Sequence, residues 1–154
     1  MLKKKELSIA TIKQGTVIDH IDCGKALIIF KLLKLDSYDK KISIAFNLIS
    51  NTLGKKDIIK IEDKSLSKEE INQLSILSPR ITINIIKNYQ VRKKYNLEIP
   101  KEIKGIFLCQ NKTCITHSES IPSHFYIAST PYHIYGTCKY CEQQFNMIEG
   151  THNL

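Results

Sequence analysis

Alternation of apolar and polar positions marks the first element: Leu7, Ile9 and Thr11 alternate with more polar neighbours, which predicts a strand over 6–13, ended by Gly15. From Asp22, a candidate N-cap, Ala26, Leu27, Phe30 and Leu33 recur at helical spacing, so a helix with one buried stripe is expected over 23–35. Alternation returns over 40–48 through Ile42, Ile44 and Phe46, and after a polar loop at 50–54 it continues over 56–62. There Ile59 and Ile61 share a face opposite Ile58 and Lys60. Ser67 followed by Glu70 is a capping box that opens a helix through Ile71, Leu74 and Leu77, stopped near Pro79. The last element of this half, 80–91, is rich in isoleucine, with Thr82, Asn84 and Ile86 on one face and Ile81, Ile83 and Ile85 on the other. The order β-α-β-β-α-β predicts an α+β, ferredoxin-like domain over 1–100, with two helices on one face of an antiparallel sheet.

Residues 92–105, charged and interrupted by Pro100, are expected to be a linker. Beyond it, residues 124–137 are rich in tyrosine and β-branched types, which favours short strands. This second segment, 101–154, is too short to bury much apolar surface, and its cysteines suggest what replaces a large core. Cys109 and Cys114 have four residues between them, Cys138 and Cys141 have two, and 23 residues separate the pairs. Two close pairs supply the four tetrahedral thiolates of a closed, structural zinc site, giving a small all-β zinc domain. His117, His124 and His133 lie in the same segment and could replace a thiolate or support one; packing or surface positions suit them better, because the cysteines already fill the shell. Disulfides would need an oxidising compartment, and the first fifteen residues have no apolar run that makes a signal peptide.

The net charge of +8 is unevenly placed. Through Pro100 there are 19 Lys and Arg against 11 Asp and Glu, whereas the remainder carries four of each. A basic front half suggests an anionic partner such as nucleic acid or a phosphorylated small molecule. An RNA-recognition module would stack bases on aromatics of its central strands, and neither LSIATIKQ nor KKDIIKIE has one, which argues against nucleic acid. No apolar run approaches the roughly 18 residues of a membrane helix, so a cytoplasmic protein is expected. No phosphate loop, dinucleotide fingerprint, H-E-x-x-H or G-x-S-x-G is present. Asp19 and His20 could form an acid/base pair, but neighbours on an extended strand point to opposite sides. Cys23 fits a small buried hydrophobe better than a nucleophile.

The runs GTVIDHI at 15–21, KDIIKIE at 56–62 and ITINIIKNYQV at 81–91, with the knuckles CQNKTCITHSE and CKYCE, together resemble the regulatory chain of aspartate carbamoyltransferase over nearly the whole length. The resemblance implies a non-catalytic subunit of pyrimidine biosynthesis. Its N-terminal allosteric domain would bind nucleoside triphosphates (ATP, CTP and UTP) and pair with a second copy, and its zinc domain would dock on the catalytic chain. By that resemblance Ile12, Tyr89 and Val91 line the base pocket, largely through main-chain groups. Asp19 and Lys60 approach the ribose, and His20 and Lys94 the phosphates, while Thr82, Asn84 and Ile86 lie along the pocket. The amino terminus, MLKKKELSIAT, departs from the family pattern, and it is the part that the family uses in its response to a second nucleotide.

Overall fold

The computed structural model describes residues 11–150. The chain divides into two compact units, one ending at Leu66 and taking in Arg80–Asn96, the other made of Ser67–Pro79 and the chain from Leu97 onward.

The first unit is a five-stranded antiparallel sheet built from β1 (Gly15–Ile21), β2 (Ile42–Ser50), β3 (Gly54–Glu62), β4 (Thr82–Lys87) and β5 (Gln90–Asn96), in the order β2-β3-β1-β4-β5. The first four strands have the ferredoxin-like order, and β5 adds an edge. Helix α1 (Ala26–Leu32) buries Ala26 and Ile29, and the sheet's interior face buries Thr16, Ile18, Ile59, Ile61 and Ile83. Five such side chains removed from water, each contributing about 1.5–3 kcal/mol for the larger ones, explain why register is fixed here.

Four boundaries differ from expectation. Of the strand expected over 6–13, residues 6–10 lie outside the described residues and 11–13 are not extended pairing segments; β1 instead starts at Gly15. Gly15 has φ +139°, and a Cβ there would meet the Ile61 carbonyl oxygen at 2.1 Å, so this glycine admits close approach of β3 rather than ending a strand. Because β1 is central and buried on both faces, its Thr16, Val17 and Ile18 do not alternate, which hid it from a period-two reading. Helix α1 is shorter than 23–35, and Asp22 does not cap it; the N-cap is Lys25, while the Asp22 carboxylate pairs with Arg80 and Lys25.

The element expected over 80–91 is two strands. Asn88 (φ 50°) and Tyr89 (φ 62°) form a tight left-handed turn between Lys87 and Gln90, so the chain folds back and β5 runs into the expected linker. Strand β6 (Glu102–Lys104) takes more of that linker.

The second unit is a meander, β6-β7-β8-β9, with β7 at His124–Ser129, β8 at Ile134–Cys138 and β9 at Gln144–Asn146. Helix α2 (Lys68–Leu77) groups with it, as do the single turns α3 (Ile115–Ser118) and α4 (Met147–Gly150). The α2 capping box forms as expected: the Glu70 amide donates to Ser67 Oγ at 3.1 Å and the Ser67 amide to Glu70 Oε2 at 2.8 Å. Ile76 of α2 joins Ile103, Phe107, Phe125, Ile134 and Met147 in one small core that also contains Cys109, Cys114 and Cys138.

Candidate functional site

The four paired cysteines converge. Cys109 follows the loop after Phe107, Cys114 is the N-cap of α3, Cys138 ends β8, and Cys141 sits in the turn beyond it. Their sulfur atoms all lie within 4.8 Å of one another. Cys109 and Cys141 are 3.7 Å apart and Cys114 and Cys138 3.8 Å, far beyond a disulfide bond. A tetrahedron of metal–sulfur bonds of about 2.3 Å has edges of about 3.8 Å, so the donor set fits one tetrahedral ion. Burial pushes the Cys109 and Cys138 thiols up, whereas the Thr116 hydroxyl and amide hold Cys114 down to about 6. Packing four thiolates together is electrostatically costly, and a divalent cation is the natural counter-charge.

None of the three histidines joins this cluster. The ring Nε2 of His117 donates to the Cys109 carbonyl at 2.7 Å. His124 is buried, with Nε2 2.7 Å from Glu102 Oε2. His133 lies against the ring of Tyr135.

In the first unit, ladder register places the candidate ligand residues on the open sheet face. Residues directly opposite in an antiparallel ladder point the same way, and Ser43, Lys60, Val17, Asn84 and Lys94 form one such row across five strands. The next row pairs Asp19 with Thr82, and the row on the other side pairs Gly15 with Ile86 and Ile86 with Val91. Beneath the polar groups Ile12, Val17, Ile58 and Ile86 pack as an apolar floor. Tyr89 and Val91 are exposed, and the Tyr89 amide donates to the Lys13 carbonyl at 3.0 Å.

The objection to an Asp19–His20 pair is overturned. A bulge between Ile18 and Ile21, with His20 at φ 56°, turns the imidazole toward the face that Asp19 occupies. His20 Nδ1 is then 3.0 Å from Thr82 Oγ1 and 3.7 Å from Asp19 Oδ2. Lys56 Nζ is 2.7 Å from Asp19 Oδ1. Lys56 was not among the expected residues, although its even-number parity with Ile58 and Lys60 was the signal that could have found it. Burial lowers the pKa of Lys60, with Asp19 pulling the other way. Among the described residues, Asn84 Oδ1 is a buried side-chain oxygen without a hydrogen-bond partner. Cys23 is exposed, contrary to the buried hydrophobe expected.

The fold and these two clusters define a two-unit protein: one unit is a sheet whose open face carries cations, the other a four-cysteine metal-binding domain. Family models agree: residues 7–98 match the aspartate carbamoyltransferase regulatory chain, allosteric domain, and residues 101–149 match the same chain's metal binding domain. Curated aspartate carbamoyltransferase regulatory chains are similar over almost their full length. That of Aeromonas salmonicida is 42% identical over 94% of both chains, that of Photobacterium profundum 43% over 95% of both, and that of Thermococcus onnurineus 44% over 97% of this chain and 99% of its own. This chain belongs to the aspartate carbamoyltransferase regulatory chain family, a family of regulatory rather than catalytic chains.

Proposed function

We propose that the chain senses nucleoside triphosphates and transmits their binding to the catalytic chain of aspartate carbamoyltransferase in pyrimidine biosynthesis, in the cytoplasm. Residues 1–100 form the nucleotide-binding allosteric domain and 101–154 the zinc-binding domain that docks on the catalytic chain. The observation that carries the reading is the row of Lys60, Asn84 and Lys94 across one open sheet face above an apolar floor. The Lys94 ammonium suits phosphates and that of Lys60 a ribose hydroxyl, the uncompensated Asn84 oxygen can accept from a ligand N–H or O–H, and Ile12, Ile86 and Val91 offer apolar area to a base. Asp19, held by Lys56, faces the ribose, and His20, held by Thr82, faces the phosphates. ATP, CTP and UTP can share such a face with opposite outcomes, because only their differential affinity for two states of the assembly shifts its balance, and a coupling of about 1–3 kcal/mol is enough.

Two chains pair through a sheet edge. Edge strand β2 supports this, exposing Phe46 and Ile49, whereas the other edge, β5, presents Arg92, Lys93 and Lys94.

Cys109, Cys114, Cys138 and Cys141 hold one Zn2+, which when bound offsets half of the four thiolate charges and contributes folding free energy of about 10–16 kcal/mol by analogy with small zinc modules. The chain's own contribution is to deliver the four sulfurs from two turns and to expose Leu108, Ile115 and Tyr140 around them for the catalytic chain. Stripping the metal with a chelator or a mercurial should release the chain from the catalytic chain, as read by sedimentation. An assembly that persists after complete loss of metal would refute the docking role.

A further inference from the structure

The two halves of the metal centre are built differently. Cys138 and Cys141 are set by backbone: the Cys138 amide donates to the Gln143 carbonyl at 3.0 Å, the Glu142 amide returns to the Cys138 carbonyl at 2.9 Å, and the Lys139 amide donates to the His124 carbonyl at 2.9 Å. Cys109 and Cys114 have backbone support too, the Cys114 amide donating to the Asn111 carbonyl at 3.0 Å, but here side chains of one turn are added to it. The Thr116 hydroxyl donates to Cys114 Sγ at 3.3 Å, and the neighbouring His117 ring donates to the Cys109 carbonyl at 2.7 Å. A carbonyl can only accept, so His117 carries its proton on Nε2. The turn is closed on itself, since the His117 amide donates to the Cys114 carbonyl at 3.0 Å. Asn111 Oδ1 steadies the intervening loop by accepting from the Thr113 amide and hydroxyl. The longer four-residue spacing of this pair leaves more backbone freedom than the two-residue spacing of the other, and these two side chains restrict it beyond what the loop's own backbone bonds do.

We propose that Thr116 and His117 are positioning residues that hold the first thiolate pair in ligand geometry and thereby set how fast the chain loses its metal. The inference rests on the metal-site reading above. The hydroxyl places hydrogen-bond density on one ligand sulfur, and the imidazole fixes the peptide plane that carries the other; partners of this kind orient ligands before the ion arrives.

The test uses the full chain loaded with Zn2+ and, separately, with Co2+. Release to a chromophoric chelator is timed, and the sulfur-to-cobalt absorption band is recorded. His117→Phe and Thr116→Val should each release zinc about 10–100-fold faster and displace the cobalt band. His117→Gln, whose amide can donate from a similar position, and Thr116→Ser should stay near wild type in both. Wild-type rates and bands in the Phe and Val variants would overturn the proposal, as would equal impairment in the Gln and Ser variants. Should His117→Phe fail to fold, Thr116→Val carries the test, because it conserves volume at a half-buried position. A wild-type chain that takes up neither ion would instead refute the metal site itself.

Discussion

Asn84 shows what a single residue can be asked to do. Its Oδ1 is buried without a partner among the described residues, a state that costs about 1–3 kcal/mol when a buried group goes unmatched. If that oxygen waits for a ligand donor, Asn84→Leu should leave the ligand-free chain as stable as wild type or about 1 kcal/mol more stable, yet weaken triphosphate binding about tenfold. Urea melts and calorimetry on the same samples separate the two effects. Glu102 makes a pH prediction. The hydrogen bond from His124, with Lys104 nearby, holds its carboxyl below the ordinary value of 4.5. A carboxyl whose folded value lies below its unfolded one stabilises the fold above the unfolded value, and that stabilisation fades as pH falls toward the native value. Glu102→Gln should therefore be the less stable protein near pH 6 and should lose less on acidification below about pH 4.5, read as the difference between denaturant midpoints of the two proteins. At this scale the four-cysteine cluster was legible, because residue identity and local spacing announce it. The approach of His20 to Asp19 was not, because it depends on a left-handed residue in a bulge that no alternation announces.

Among the elements, α2 is where sequence and structure agree best. Ser67 and Glu70 cap it reciprocally, and Leu74, Ile76 and Leu77 are buried. Ser67→Ala should cost about 1 kcal/mol in chemical unfolding, whereas Ser67→Thr should cost little. What the pattern did not announce is that α2 shares a core with Ile103, Phe107 and Met147, which lie far from it in sequence. Helical periodicity reports that a face is buried, not what buries it. Strand β1 and the β4–β5 hairpin were missed for related reasons. A central strand apolar on both sides loses its alternation, and the turn at Asn88–Tyr89 lacks the glycine that usually marks two left-handed residues in succession. The βαββαβ order survived these shifts because the two helices and the strands β2, β3 and β4 were recognised, and a strand was expected just ahead of the place that β1 takes.

For the whole molecule, the account comes down to charge and placement. The surplus of eight positive charges lies in the first hundred residues, and the sheet collects Lys56, Lys60 and Lys94 onto its open face, while the rest of the chain balances four cations against four anions around its thiolates. That segregation was visible in the sequence; the row that joins Lys60 to Lys94 was not, since register between five strands is a tertiary fact. Calorimetric titration of the full chain with ATP and with CTP, alongside single-stranded RNA, tests the central claim most directly. The account predicts saturable binding of both triphosphates, none of the RNA, and a loss of about tenfold or more in Lys94→Ala, the size of one charge-assisted hydrogen bond. RNA binding without triphosphate binding, or unchanged affinity in that variant, would contradict it.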